Sequence, residues 1–344
     1  MNSDKLLTVI VTAYNAAAFL SKCLDSFCGE SVRPLLEVIV VNDGSKDDTS
    51  AVAHRYSARY PECFRVIDKE NGGHGSAINL GSQQASGKYL QVVDSDDWVV
   101  AENLPELMRI LRENSADVVL CNYHMVDKET GKKQAFETVG AEFGQVYPID
   151  RFVACSKRAW NCCYFHGVIY RADFYRNMDF RVSEKTFYED QEYATIPFFY
   201  ANTVLPVDLF IYQYQVGDVH QSISNANQVK NLNQLENIFW NITDFYCRHR
   251  SEMTDGRKAF FLFKLSNLLT SYYAAGLIKD SNRSRGKACA EAMRKQVAER
   301  CPELAEQAER GYRTAFVLHK LHISSELLER VKRTKAYHML RGKI

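Results

Sequence analysis

Five short apolar runs constrain this chain more than any other feature. LLTVIVTA (6–13) and LEVIVVND (36–43) are continuous and rich in β-branched residues, and FRVID (64–68), KYLQVVD (88–94) and DVVLCNY (117–123) follow. Runs of this length bounded by polar turns read as strands buried on both faces. Helical stretches separate them, at about 16–28, 47–60, 75–86 and 101–114, with Ser45, Asp47 and Thr49 as capping candidates for the second. Strand–helix alternation at this spacing predicts an α/β domain with a mostly parallel sheet and helices on both faces.

Residues from about 125 to 222 are less regular, with a turn at Glu129-Thr130-Gly131, aromatic clusters and a helix expected near 188–200. Beyond 226, segments 227–250, 257–278, 284–300, 302–322 and 324–340 carry helical apolar spacing and no strand signature. A boundary near 222–226 is therefore expected between an α/β domain (1–222) and a helical region (223–344).

Composition narrows the function classes. With 46% hydrophobic and 25% charged residues, an ordinary packed core is expected. Forty-three basic against 42 acidic side chains, a net charge of +1, argues against a dedicated nucleic-acid binder. The ten cysteines, Cys162 and Cys163 adjacent among them, show no pairing interval and read as reduced thiols of a cytoplasmic protein. The N-terminal apolar stretch is short for a signal peptide, and no run approaches the roughly 20 residues of a membrane span.

In an open α/β sheet, ligands bind beyond the carboxyl ends of the strands. Asn42-Asp43-Gly44-Ser45 follows the second run and Asp94-Ser95-Asp96-Asp97-Trp98 the fourth, so both acidic clusters should face one crevice. Three carboxylates in four residues repel one another, and a hard divalent cation such as Mn²⁺ or Mg²⁺ offsets that; the competing reading is a turn or helix cap. Asp43 is acceptor-only when ionised, so it suits an N–H on a uracil or thymine ring, or else a turn. Asn71-Gly72-Gly73-His74-Gly75 runs into a helix, where glycine backbone can approach a phosphate, or simply turn. It is neither a GxxxxGK[ST] loop nor a GxGxxG after the first strand. The first strand's own turn, Thr12-Ala13-Tyr14-Asn15-Ala16, has no glycine, which counts against an NAD-linked dehydrogenase.

TVIVTAYNAAAFLSKCLDSF, EVIVVNDGSKDDT, KENGGHGSAINLGSQQASGKYLQVVDSDDW and FYEDQEY, in that order, resemble the inverting family 2 glycosyltransferases of the GT-A nucleotide-diphospho-sugar fold. The resemblance covers about residues 5–222. It implies a hexosyl- or N-acetylhexosaminyltransferase using a nucleotide-sugar donor, UDP first, in polysaccharide or glycoconjugate synthesis, with a saccharide or lipid-linked acceptor. Thr12, Ala13 and Tyr14 would line the base pocket, and Asp43 would hydrogen-bond the pyrimidine. Asn71, Gly72 and Gly73 would pass near ribose and diphosphate, with Ser95 also on the donor side. Asp94 and Asp96 look like the DxD carboxylates that hold the metal, and Asp190 like the catalytic base, with Glu189 beside it on the acceptor side. Trp160 and His166, in AWNCCYFHGVIYR, resemble the acceptor-side segment, and Phe187 and Tyr188 are expected to flank the sugar. Cys162, Cys163 and His166 lack an evident fourth ligand for zinc.

Some positions depart from the family pattern. Many relatives carry Arg just before the asparagine that corresponds to Asn79, where this chain has Ile78. His74 is the nearby polar candidate, either for a diphosphate contact or for stabilising the turn. Tyr212-Gln213-Tyr214 and Gln221-Ser222-Ile223 resemble a segment that closes over the diphosphate; His220 is the candidate for its missing cation. From Arg313 on, basic side chains outnumber acidic ones eight to two, and Ile323, Leu327, Leu328 and Val331 can share a helical face. That helix either packs on the catalytic domain or lies on an anionic membrane surface. Rival classes are a sugar-1-phosphate nucleotidyltransferase, whose Gly-rich basic loop after the first strand is missing, and a non-catalytic nucleotide-sugar binder, which the acidic residues argue against.

Overall fold

A computed structural model of the chain describes residues 5–155, 157–217 and 224–323. Its strands are β1 (Leu7–Ala13), β2 (Leu36–Asp43), β3 (Phe64–Lys69), β4 (Tyr89–Asp94), β5 (Trp98–Val99), β6 (Val118–Asp127), β7 (Lys133–Phe136), β8 (Tyr147–Pro148), β9 (Val168–Arg171) and β10 (Thr203–Val216). They form one sheet in the order β3-β2-β1-β4-β9-β6-β10-β5, with β7 on β6 and β8 on β10. Strands β3, β2, β1 and β4 are parallel, as are β6 and β10, and β9 is inserted antiparallel between β4 and β6. The mostly parallel α/β sheet expected from the apolar runs is present. All seven residues of β1 are buried, whereas β3 lies at the sheet edge and is mostly half-buried, so its expected two-faced burial does not hold.

Register places the strand ends that matter side by side: Thr12 opposite Asp94, Ala13 opposite Asn42, and Asp43 opposite Lys69. Between the strands lie the helices Leu20–Asp25, Thr49–Arg59, His74–Gln84 and Leu104–Glu113. The helix expected over 188–200 is two short helices, Asp190–Tyr193 and Pro197–Tyr200. Pro197 has no N–H to extend the first, and it opens the second, where none is needed.

The longest strand, β10, was not legible as a strand in the sequence. Pro206 interrupts its apolar pattern, and its pairing with β6 shifts register between Val207 and Phe210 and again before Tyr212, so strict alternation fails along it.

The chain divides into two compact units, residues 1–218 with 251–260 and residues 219–250 with 261–344. Segment 251–260 belongs to the first unit: Arg257 pairs with Asp150 at 2.7 Å, and the Phe260 ring packs on Trp160 and Phe198. The second unit's described residues are helical, including Leu232–His249, Arg283–Arg300 and Ala305–Lys320. Within it, a side chain on Gly286 would collide with the Gly276 carbonyl, so that crossing requires glycine. All ten cysteines are free thiols. No helix among the described residues is long and apolar enough to cross a membrane. His220, Ser222 and the basic segment 324–344 lie outside the described residues.

Candidate active site

The site assembles at the carboxyl ends of β1, β2 and β4. Asp94 closes β4, and Asp97 N–H donates to the Asp94 carbonyl at 3.0 Å, so the acidic segment is a tight turn. Oxygens of Asp94, Asp96 and Asp97 lie within 4.8 Å of one another. Of the three, the sequence singled out Asp94 and Asp96; the structure adds Asp97. Asp97 is 1% exposed, and both its oxygens are engaged, Oδ2 by the Tyr212 hydroxyl at 2.6 Å and Oδ1 by the Gln215 N–H at 2.7 Å. The Tyr212 hydroxyl also accepts the Asp94 N–H at 3.1 Å. Tyr212-Gln213-Tyr214 is part of β10 and supports the acidic turn from within the sheet, while Gln221-Ser222-Ile223 lies outside the described residues. Burial, then the charges of Asp96 and Asp94, push the Asp97 carboxyl well above the usual range. Such concentrated negative charge suits a hard divalent cation.

Asp43, at the end of β2, does something the sequence did not disclose. It is 3% exposed; Oδ1 accepts from Lys69 Nζ at 2.6 Å and from Gly72 N–H at 2.9 Å, and Oδ2 accepts from Gly73 N–H at 2.8 Å. The Asn71 amide donates to the Asp43 carbonyl at 2.9 Å. The glycine N–H groups expected to face a diphosphate thus cradle the protein's own carboxylate, which corrects that expectation for Gly72 and Gly73. Gly44 and Gly73 have φ of +73° and +87°, the left-handed region that this fold-back requires. A carboxylate has about four acceptor positions, and described groups take three of Asp43's.

His74 opens the helix that follows. Its Nε2 bonds Asp94 Oδ1 at 2.8 Å and its Nδ1 bonds Glu189 Oε1 at 2.5 Å. Burial opposes the ring's charge, but Asp94 and Glu189 outweigh it and hold the imidazole protonated well above its ordinary range. Both nitrogens are thus occupied, so the expected diphosphate contact from His74 is replaced by a carboxylate bridge. Asp94 Oδ1 also accepts the Thr12 hydroxyl at 3.1 Å, so Thr12, expected to line a base pocket, is turned toward the acidic turn. Burial would raise the Asp94 carboxyl; His74 reverses this and holds it below the usual range. Ala13 is buried, Tyr14 is half exposed at the end of β1, and Ser95 is buried in the acidic turn.

Asp190 begins the short helix that follows Tyr188, which has a strained φ of +73°. Gln191 Nε2 donates to its Oδ2 at 2.8 Å. Burial and the neighbouring Glu189, partly offset by Gln191 and His74, push its carboxyl up to about 6, with Asp94 also within electrostatic reach. Residues 43, 72–74, 94, 189 and 190 thus form one contiguous cluster.

The acceptor-side expectations divide. Glu189 is 2% exposed and turned onto His74, so it offers no open surface to an acceptor. Trp160 is 2% exposed and packed edge-on against Phe260, a core residue rather than a sugar platform. His166 does reach the cluster: it stacks on Tyr214 at 3.9 Å between ring centroids, beside Tyr123 and Tyr212. Burial, against the pull of Asp94, lowers its pKa to about 4, so the ring is neutral near pH 7. Phe187 is 47% exposed next to Tyr188.

Comparison with known proteins agrees with this geometry. The family model for glycosyl transferase family 2 matches residues 8–178. The glycosyltransferase EpsH of Bacillus subtilis (strain 168) is 28% identical over 221 residues, which span 61% of this chain and 60% of EpsH. The glycosyltransferase YibD of Escherichia coli (strain K12) is 29% identical over 246 residues, 68% of each chain. S. aureus TarS 1–349, solved in complex with UDP-GlcNAc, is similar with a TM-score of 0.54 at 19% identity over 92% of both chains. The mannosyltransferase PcManGT from Pyrobaculum calidifontis, solved with GDP-Man and Mn²⁺, has a TM-score of 0.53 at 16% identity over 95% of this chain and 88% of that one. With the sheet order, the acidic turn and the matched region in hand, the chain belongs to glycosyltransferase family 2 and has a GT-A fold followed by a helical region.

Proposed function

We propose that this glycosyltransferase moves one hexosyl or N-acetylhexosaminyl group from a UDP-sugar to an acceptor hydroxyl with inversion of the anomeric centre. The observation that carries the reading is the juxtaposition of Asp190, its carboxyl raised to about 6, with the acidic turn through His74 and Glu189. A general base works best with a pKa near the working pH, and Asp190 is mostly ionised at pH 7. It would take the hydroxyl proton while the oxygen attacks the anomeric carbon from the face opposite the diphosphate.

Asp94 and Asp96, with Asp97 behind them, are the residues that would hold Mn²⁺ or Mg²⁺. Such an ion, when bound, stabilises the negative charge that develops on a departing diphosphate. Asp97 keeps its two hydrogen bonds and shapes the turn, leaving Asp94 and Asp96 as the direct contacts. The acceptor position left on Asp43 suits a base that presents one ring N–H, which favours uracil over guanine with its adjacent N–H and NH₂ donors. Tyr14, exposed just past the end of β1, would supply a stacking face. Phe187, Tyr188 and His166 would border the acceptor, a saccharide or lipid-linked glycan. The first unit is the catalytic domain in this reading.

The test is incubation with a panel of UDP- and GDP-sugars in Mn²⁺ or Mg²⁺, with nucleotide release and product anomer read by NMR. UDP release with an inverted product is expected. A retained configuration excludes Asp190 as the base of a single displacement, and release from GDP-sugars alone excludes the role given to Asp43.

A further inference from the structure

We propose that His74 is a positioning residue: by pinning Glu189 to Asp94 it fixes where Asp190 stands relative to the donor's acidic turn. This rests on the functional reading above and deepens it. The three residues come from distant parts of the chain, and the imidazole makes both links, at 2.8 Å to Asp94 and 2.5 Å to Glu189.

Among the described residues, His74 makes the hydrogen bond that holds the Glu189 side chain. Glu189 is 2% exposed, its Oε1 is held by His74, and its Oε2 is buried without a hydrogen-bond partner among the described residues. A buried carboxylate that loses the donor holding it is driven toward water. Asp190 is the next residue, so a shift of Glu189 moves the base with it. The backbone around them offers little slack, because Gly75, directly after His74, packs so closely that a Cβ there would lie 2.0 Å from the Ser183 carbonyl and 3.1 Å from Glu189 Cγ. Asn79, one turn further along the same helix, holds Val182 at both its amide and its carbonyl. The helix His74–Gln84 and the loop that carries the base are thus joined at three places, and His74 extends that joint to Asp94 at the end of β4. His74 and Ile78 are one turn apart on one helix face, so a cation at 74 can serve the acidic turn while an apolar residue fills position 78.

The experiment is a double-mutant cycle read as UDP release from UDP-glucose or UDP-N-acetylglucosamine in Mn²⁺, whichever the wild type turns over faster. His74→Gln places its amide near the Nε2 position and keeps the Asp94 link but drops Glu189; His74→Asn, with its amide near Nδ1, does the reverse. Misplacing a catalytic group by about 1 Å costs on the order of 100-fold. His74→Gln should therefore lower kcat by roughly 10- to 100-fold. His74→Asn should retain several-fold more activity than His74→Gln. In an Asp190→Asn background, adding His74→Gln should change kcat by less than twofold, because the base it positions is gone. An equal loss from His74→Gln in both backgrounds overturns the positioning role and leaves the functional reading standing. No turnover by the wild type, or full turnover by Asp190→Asn, overturns that reading and this proposal with it. Should His74→Gln not fold, Glu189→Ala replaces it in the same cycle, with the same non-additivity expected and the same additive result as refutation.

Discussion

Replacing Asp190 with Asn should harm catalysis and strengthen the fold in one stroke, and the second effect has a calculable size. The carboxyl is raised from 3.8 to about 6, first by burial and next by Glu189. Each tenfold in proton affinity is about 1.4 kcal/mol, so ionised Asp190 costs the folded state on the order of 3 kcal/mol. The sign follows from linkage. Because the folded pKa is the higher one, the folded state binds the proton more tightly; stability is fully present below about 4 and is lost as pH rises through about 6. Asn is neutral throughout and can still accept from Gln191. Asp190→Asn should therefore melt roughly 5–10 °C higher than the wild type at pH 8, with the gain fading as pH falls from 6 to 4. Melts should be run in EDTA, since a bound cation would relieve the same repulsion. In the transfer or hydrolysis assay, the same variant should lose about 10²–10⁴ in kcat with donor affinity nearly unchanged. For the wild type, kcat should fall about tenfold per pH unit below 6. A variant that loses activity but gains no stability at pH 8 refutes the burial argument; one that keeps wild-type turnover removes Asp190 from the mechanism.

Three further outcomes follow from the same geometry. Asp96→Ala should abolish the Mn²⁺-dependent part of UDP binding in calorimetry and leave the metal-free part unchanged; an unchanged metal dependence would place the ion elsewhere. Asp43→Ala strands Lys69 and the N–H groups of Gly72 and Gly73, and should cost about 3–5 kcal/mol in urea unfolding; a loss below about 1 kcal/mol would show the pair to be solvated. Gly75→Ala forces a methyl to 2.0 Å from the Ser183 carbonyl, so the loop carrying Asp190 must shift: kcat should fall at least tenfold while UDP affinity, measured by calorimetry, changes little. Equal kcat in the variant would mean that the loop moves without carrying the base.

The sequence by itself determined the parallel half of the sheet, because β1, β2 and β4 are continuous apolar runs with one reading available to them. It also determined that Asp43 and the turn at 94–97 share an edge, since both follow strands that the fold aligns. What it did not determine is what each polar group faces. Gly72 and Gly73 look the same in sequence whether their N–H groups bind a phosphate or Asp43, and the choice is made by the Lys69 pairing across β2 and β3. Trp160 reads equally as a sugar platform or as core until Phe260, a hundred residues later, packs against it. β10 escaped notice because a proline and two register shifts erase its alternation, although it supports Asp97 through Tyr212. His74 could be suspected but not placed: its two partners lie 20 and 115 residues away. Local pattern fixes elements because backbone hydrogen bonding and side-chain periodicity act over a few residues. The pairing of buried charges acts across the whole chain, and it is settled only when the tertiary structure excludes water from between them.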